Sequence, residues 1–155
     1  MFGLFTSWAR KRQVKELQSF VEQLRSMDGQ DLGMILAVAT DSRIKLERQG
    51  FRLMDPIVDA PTDPGAAVRL NSIIRGLQAE GKFPEAASVM VWLHTIRVGT
   101  NIQLRQVARE MWRELTRGMP HVHAASLDLM RSGSKAIFVD GYEQYPAGLA
   151  PDPLP

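Results

Sequence analysis

The chain has 155 residues, 45% apolar and 23% charged, enough for one domain that buries roughly two thirds of its unfolded surface. It has no cysteine, which excludes disulfide stapling, thiolate metal sites and cysteine catalysis. A net charge of +2 is too small to argue for nucleic acid, and the longest near-continuous apolar run, Met34 to Ala39, is far below the ~20 residues of a membrane span.

Charge is unevenly placed. Residues 1–25 hold five bases against two acids, and 66–118 hold eight against four. The stretches 26–65 (four against seven) and 119–155 (two against four) are acidic. An acidic partner is therefore expected to meet the start of the chain or its later helices.

The first helix is read from Val14, Leu17, Val21 and Leu24, which recur at i, i+3, i+7 and i+10 with Phe20 beside them. Before this stripe come the aromatic wedge Phe2, Leu4, Phe5 and Trp8 and the basic cluster Arg10, Lys11, Arg12 and Lys15. The plain reading packs the whole helix on the core. The sharper reading makes Phe2, Phe5, Trp8, Arg10, Lys11 and Arg12 an anchor, either at the headgroups of an anionic membrane or in a groove on another subunit. The apolar residues precede the basic ones, unlike a standard secretory signal, and the continuous helical stripe that follows argues against an organellar targeting peptide.

Asp28, with Asp31 three residues on, reads as the N-cap of a second helix from about Gly29 to Gln49, stopped by Gly50. Its first half, Leu32 to Ala39, is expected to be buried on every side and its second half solvated. Gly33 weakens it unless a neighbour packs closely there. Residues 1–50 thus read as a helical hairpin. Pro56, Pro61 and Pro64 make 51–65 a connector, with Leu53-Met54 or Ile57-Val58 as a docked pair.

Asp63-Pro64 starts a third helix, with Ala66, Leu70, Ile73, Ile74 and Leu77 on its inner face and Gly81 at its end. The fourth, Phe83 to Val98, has Pro84 in its first turn and Gly99 as a stop, and is apolar almost all round, so other elements must surround it. These two should form an antiparallel αα-hairpin. The spacing Leu70, Ile73, Leu77, Gly81, Ala86, Met90, Leu93 resembles one tetratricopeptide-type repeat over about 30 residues. It departs from that pattern at Ile74, and a step of one repeat places Pro120 where alanine belongs. The resemblance implies a helical hairpin and no more.

Thr100 or Asn101 caps a fifth helix ending at Gly118, with Leu104, Val107, Ala108, Met111, Trp112 and Leu115 on one face. Pro120 opens a sixth, through Arg131. The tail 132–155 holds a short extended strip, Ala136 to Val139, a turn at Asp140-Gly141, and four prolines.

No catalytic set assembles. Ser132 and Lys135 lack the companion motifs of S-x-x-K enzymes, and there is no phosphate loop or dinucleotide glycine pattern. His121 and His123 stand ~200° apart on a helix, a poor pair for one metal ion, and His94 reads as a core histidine. The most suggestive feature is the ladder Arg105, Arg109, Arg113, Arg117, which drifts only ~40° per step and has Trp112 at its edge. Glu110 and Glu114 can pair with Arg113 and Arg117, while Arg105 and Arg109 have no acid at helical spacing.

The reading is an all-α fold of about six helices, an irregular bundle built from antiparallel hairpins with a short extended tail. It assigns 1–131 to one helical domain: hairpin 1–50, connector 51–65 and a four-helix part 66–131. The expected function is a non-enzymatic protein–protein interaction module, an adaptor or accessory subunit in the cytoplasm, without cofactor or metal. Partner contact is assigned to Arg105, Arg109, Arg113, Arg117 and Trp112, or to the N-terminal anchor. Peripheral membrane association is the first alternative. Non-specific nucleic-acid binding through the fifth helix is the second, and self-association stays open.

Overall fold

A computed structural model describes residues 2–51, 53, 64–98, 101–119, 138–139 and 142–143, with only the backbone described for 2–6, 64, 138–139 and 142–143. They form five helices: α1 (Phe2–Arg25), α2 (Gly29–Arg48), α3 (Pro64–Ala79), α4 (Phe83–Arg97) and α5 (Ile102–Thr116). Two short strands, β1 (Phe138–Val139) and β2 (Tyr142–Glu143), pair antiparallel with Phe138 opposite Glu143. The expected sixth helix, His121, His123, Ser132, Lys135, the Asp63 cap, Gly99 and most of the 51–65 connector lie outside the described residues.

The helix ends follow local chemistry. The Asp28 carboxylate accepts from the Asp31 N–H at 2.9 Å, and the Asn101 side chain accepts from the Leu104 N–H at 2.9 Å. At the end of α2, Gly50 (φ 93°) lets its N–H reach the Glu47 carbonyl and the Phe51 N–H reach Leu46. Gly81 (φ 73°) closes α3 in the same way, through Gln78 and Leu77. Phe51 and Leu53 are then buried against the bundle.

The core contains the expected stripes: Leu17, Phe20, Val21 and Leu24 from α1, Leu70 and Ile74 from α3, and Leu104 to Leu115 from α5. In α4, Val91, Trp92 and Leu93 are buried together with the polar Ser88, His94 and Thr95. Ser88 and Trp92 fasten α4 to α2. The Ser88 hydroxyl lies 3.0 Å from the Ile35 carbonyl, and Trp92 Nε1 donates to the Ala39 carbonyl at 3.0 Å. Both donors and both acceptors are four residues apart, so α2 and α4 run parallel.

This pairing corrects two expectations. The Leu32–Ala39 segment is buried on one face only: Leu32, Ile35, Leu36 and Ala39 face inward while Met34 is 48% exposed. Residues 1–50 also do not pack as a hairpin. α1 lies against α5, while α2 packs on α4 and, to a lesser extent, α5. Val14 and Gln18 are level with Gln103 at the start of α5, and Arg25 reaches Glu110 and Glu114 near its end, so α1 and α5 are parallel too. The α3–α4 hairpin does form, and α3 is a main partner of α4.

α2 and the end of α5 meet through glycine. A Cβ on Gly33 would lie 2.8 Å from the Gly118 carbonyl oxygen, and one on Gly118 would lie 2.1 Å from the Gly33 nitrogen. Only two hydrogen side chains allow this approach, which is the physical reason a glycine sits inside α2.

Candidate functional site

The last arginine of the ladder is used by the fold. Arg117 pairs with Glu114 and donates from Nη2 to the Leu24 carbonyl at 3.4 Å, tying α5 to the end of α1. Glu110, expected to pair with Arg113, is taken by Arg25 at 3.1 Å. Arg25 also meets Glu22 at 2.6 Å and Glu114 at 3.4 Å, clamping α1 on α5. Arg105 and Arg109 are half-buried, whereas Arg113 is exposed. Trp112 keeps its expected place on the apolar face of α5 and departs only from its assignment to a partner. It is 1% exposed, its ring edge-on to Trp92 at 5.6 Å, and it has no surface to offer a partner.

The first half of α1 is a different environment. Trp8 is 62% exposed, with the Arg12 guanidinium 5.8 Å from its ring centroid. Arg10, Lys11, Arg12 and Lys15 are all exposed. Arg12 is held by Glu16 at 3.3 Å; Arg10, Lys11 and Lys15 have no acid partner among the described residues. Trp8, Lys11 and Arg12 line a concavity with Gln103 at the start of α5, so the first turns of α1 lie at and beyond that end of α5. The side chains of Phe2 and Phe5 lie outside the described set.

Beside this segment runs a valley that sequence reasoning did not find. α1 and α3 share no substantial backbone packing, and side chains from the second half of α4 floor the gap between them. Two adjoining concavities of about 470 and 370 Å³ make up the valley, both lined by Glu16, Asn71 and Arg97. Its deeper part is lined by Phe20, Ile74, Met90, Leu93 and His94, its rim by Lys15, Ser19, Gln23 and Gln78. Trp8, Arg12 and Arg75 line its other end. Glu16 is the one acid lining either concavity, and it is held by Arg12 and, at 3.2 Å, by Arg97.

His94 sits at the base of the valley with its ring 5.3 Å from Phe20. Burial pushes its pKa down to about 4, and the nearby Arg97 charge adds to the shift. The imidazole is therefore neutral at pH 7, and the positive character of the valley comes from arginine and lysine. Among the described residues no three histidine or carboxylate side chains gather as metal ligands, and no helix is long and apolar enough to cross a membrane.

The site is thus a basic, partly apolar surface on α1, continuous with a valley toward α3. One signal for it was present in the sequence: Trp8 precedes Leu17 by nine residues, which places it half a turn away from the core stripe. No family model matches the chain, and neither the curated proteins nor the solved structures contain a match.

Proposed function

We propose that the protein is a non-enzymatic interaction module, an adaptor or accessory subunit that docks on an acidic partner through the first half of α1. The observation that carries this reading is the exposed Trp8 among Arg10, Lys11 and Lys15, cations without acid partners among the described residues. Tryptophan and arginine are the side chains most often found at the energetic centre of an interface. The α5 ladder supports partner binding less well, since Trp112 is internal and Arg117 is tied to Glu114 and α1.

The test is site-specific photocrosslinking in the native host, with p-benzoylphenylalanine at position 8 and, as a control, at the exposed Lys45 of α2. One defined protein adduct should form from position 8, be absent from position 45, and disappear in an Arg10→Glu/Lys11→Glu background whose thermal melt is unchanged. Equal adducts from both positions, or an adduct indifferent to the charge reversal, would refute the reading. The same exposed Trp8 beside basic residues supports a second reading, association with an anionic membrane surface. Flotation with phosphatidylserine vesicles, lost in the Trp8→Ala variant, would favour it.

A further inference from the structure

We infer that the valley between α1 and α3 binds an acidic segment of a partner protein in extended conformation. The inference rests on the interaction-module reading and adds where the partner's chain lies and what chemistry it carries.

Shape gives the first argument. From Trp8 to Gln23 the valley follows α1 for roughly 22 Å, a length that six or seven residues of extended chain fill. A helix, ~10–12 Å across with its side chains, would rest on the rims and leave the floor empty. Toward Gln23 the floor is apolar, formed by Phe20, Ile74, Met90 and Leu93, while the Trp8 end is lined by Arg12, Gln13, Asn71 and Arg75. In an extended chain alternate side chains point the same way, so every second residue can point down into it.

The rim supplies the rest. The amides of Gln23, Asn71 and Gln78 make no side-chain hydrogen bond among the described residues, and each offers both donor and acceptor to a backbone lacking strand partners. Of the cations, Lys15 and Arg75 have no acid partner among the described residues, and Arg97 reaches Glu16 from a mostly buried position. Four cations against one already paired carboxylate leave an excess of positive charge, and low-dielectric walls concentrate its field. Carboxylates on the upward-facing residues of the bound segment complement that field. A membrane surface is too flat to reach the floor.

Fluorescence anisotropy tests this with the full-length protein and a fluorescein-labelled nonapeptide that alternates glutamate with leucine. The expected result is saturable binding that weakens roughly tenfold in Arg75→Glu, an exposed position on α3, and by a similar factor when glutamine replaces glutamate in the peptide. Melting of Arg75→Glu should match the wild type, so that lost binding is not lost fold. No saturable binding, or equal binding to Arg75→Glu, overturns the proposal. So does binding of phosphatidylserine vesicles or oligouridylate that depends on Arg75 while the peptide does not bind. Arg10→Glu/Lys11→Glu, whose side chains line neither concavity of the valley, separates the two readings. A crosslinked partner without peptide binding refutes the valley alone, and peptide binding without a crosslink refutes the α1 docking reading alone.

Discussion

Replacing Gly118 with alanine tests the contact on which the arrangement of α2 and α5 depends. The new Cβ would lie 2.1 Å from the Gly33 nitrogen, 2.6 Å from the Leu32 carbonyl carbon and 2.7 Å from the Gly33 Cα. All three are backbone atoms, so no side-chain rotation relieves the clash, and the end of α5 has to retreat by about 1 Å to reach ordinary contact distance. Overpacking of this kind costs about 1–3 kcal/mol, and a rigid obstacle places Gly118 at the upper end. Gly76 is the control: it is exposed within α3, and a methyl group added there would meet nothing within 4 Å, so Gly76→Ala should gain about 0.5–1 kcal/mol. Thermal melts followed by circular dichroism should show Gly118→Ala lower by roughly 4–12 °C and Gly76→Ala slightly higher. A Gly118→Ala melt at or above the wild type would refute the glycine contact, and with it the close approach of α5 to the start of α2.

Two further outcomes follow from buried groups on α4. An unfolded His94 titrates near 6.5 and the folded one at about 4, so between these values the unfolded chain holds more protons. The stabilisation is therefore complete above pH 6.5, is lost as the pH falls towards 4, and levels off below that; the difference between the two values corresponds to about 3 kcal/mol. Urea denaturation of wild type and His94→Gln across pH 4–7 should show a steeper decline for the wild type, and parallel curves would contradict it. Trp92→Phe keeps most of the packing but removes the indole N–H that donates to Ala39, and should cost about 1–2 kcal/mol by urea denaturation.

What the sequence shows well is what repeats locally. The stripes of α1, α3 and α5, the Asp28 and Asn101 caps and the glycine stops at 50 and 81 all depend on residues within one or two turns of each other, and each appears where the spacing places it. Pairing is a different matter. Ile35 meets Ser88 and Arg25 meets Glu110 across long stretches of chain, through parallel contacts that chain order does not suggest. Reading neighbours in sequence as neighbours in space made a hairpin of 1–50 and left Glu110 for Arg113. Trp112 was given both a core and a partner-contact role for a related reason: at the edge of an apolar face, its burial depends on whether another ring covers it, and that ring is Trp92 from a different helix. The valley was invisible because it is a gap between α1 and α3, helices with no shared sequence pattern.

The parallel pairing of α1 with α5 also explains how one helix can serve both fold and surface. An antiparallel hairpin with α2 would have set α1 against a neighbour joined to it by a three-residue turn, with its two ends level with that neighbour. Instead α5 starts level with Val14, so the core stripe from Val14 to Leu24 has a full partner while the preceding turns run past it. The stripe anchors the helix with fully buried leucines at 17 and 24, and Arg25 and Arg117 fasten the same end through Glu110, Glu114 and the Leu24 carbonyl. Trp8 and its basic neighbours are therefore carried on the extension of a helix whose other end is fixed. A surface already held in a helix has less conformational entropy to lose on docking than an unstructured segment. Under the proposed docking role, that preorganisation, more than the net charge of the chain, favours the first half of α1 over the helix face on α5 whose Arg117 and Glu110 already hold the bundle together.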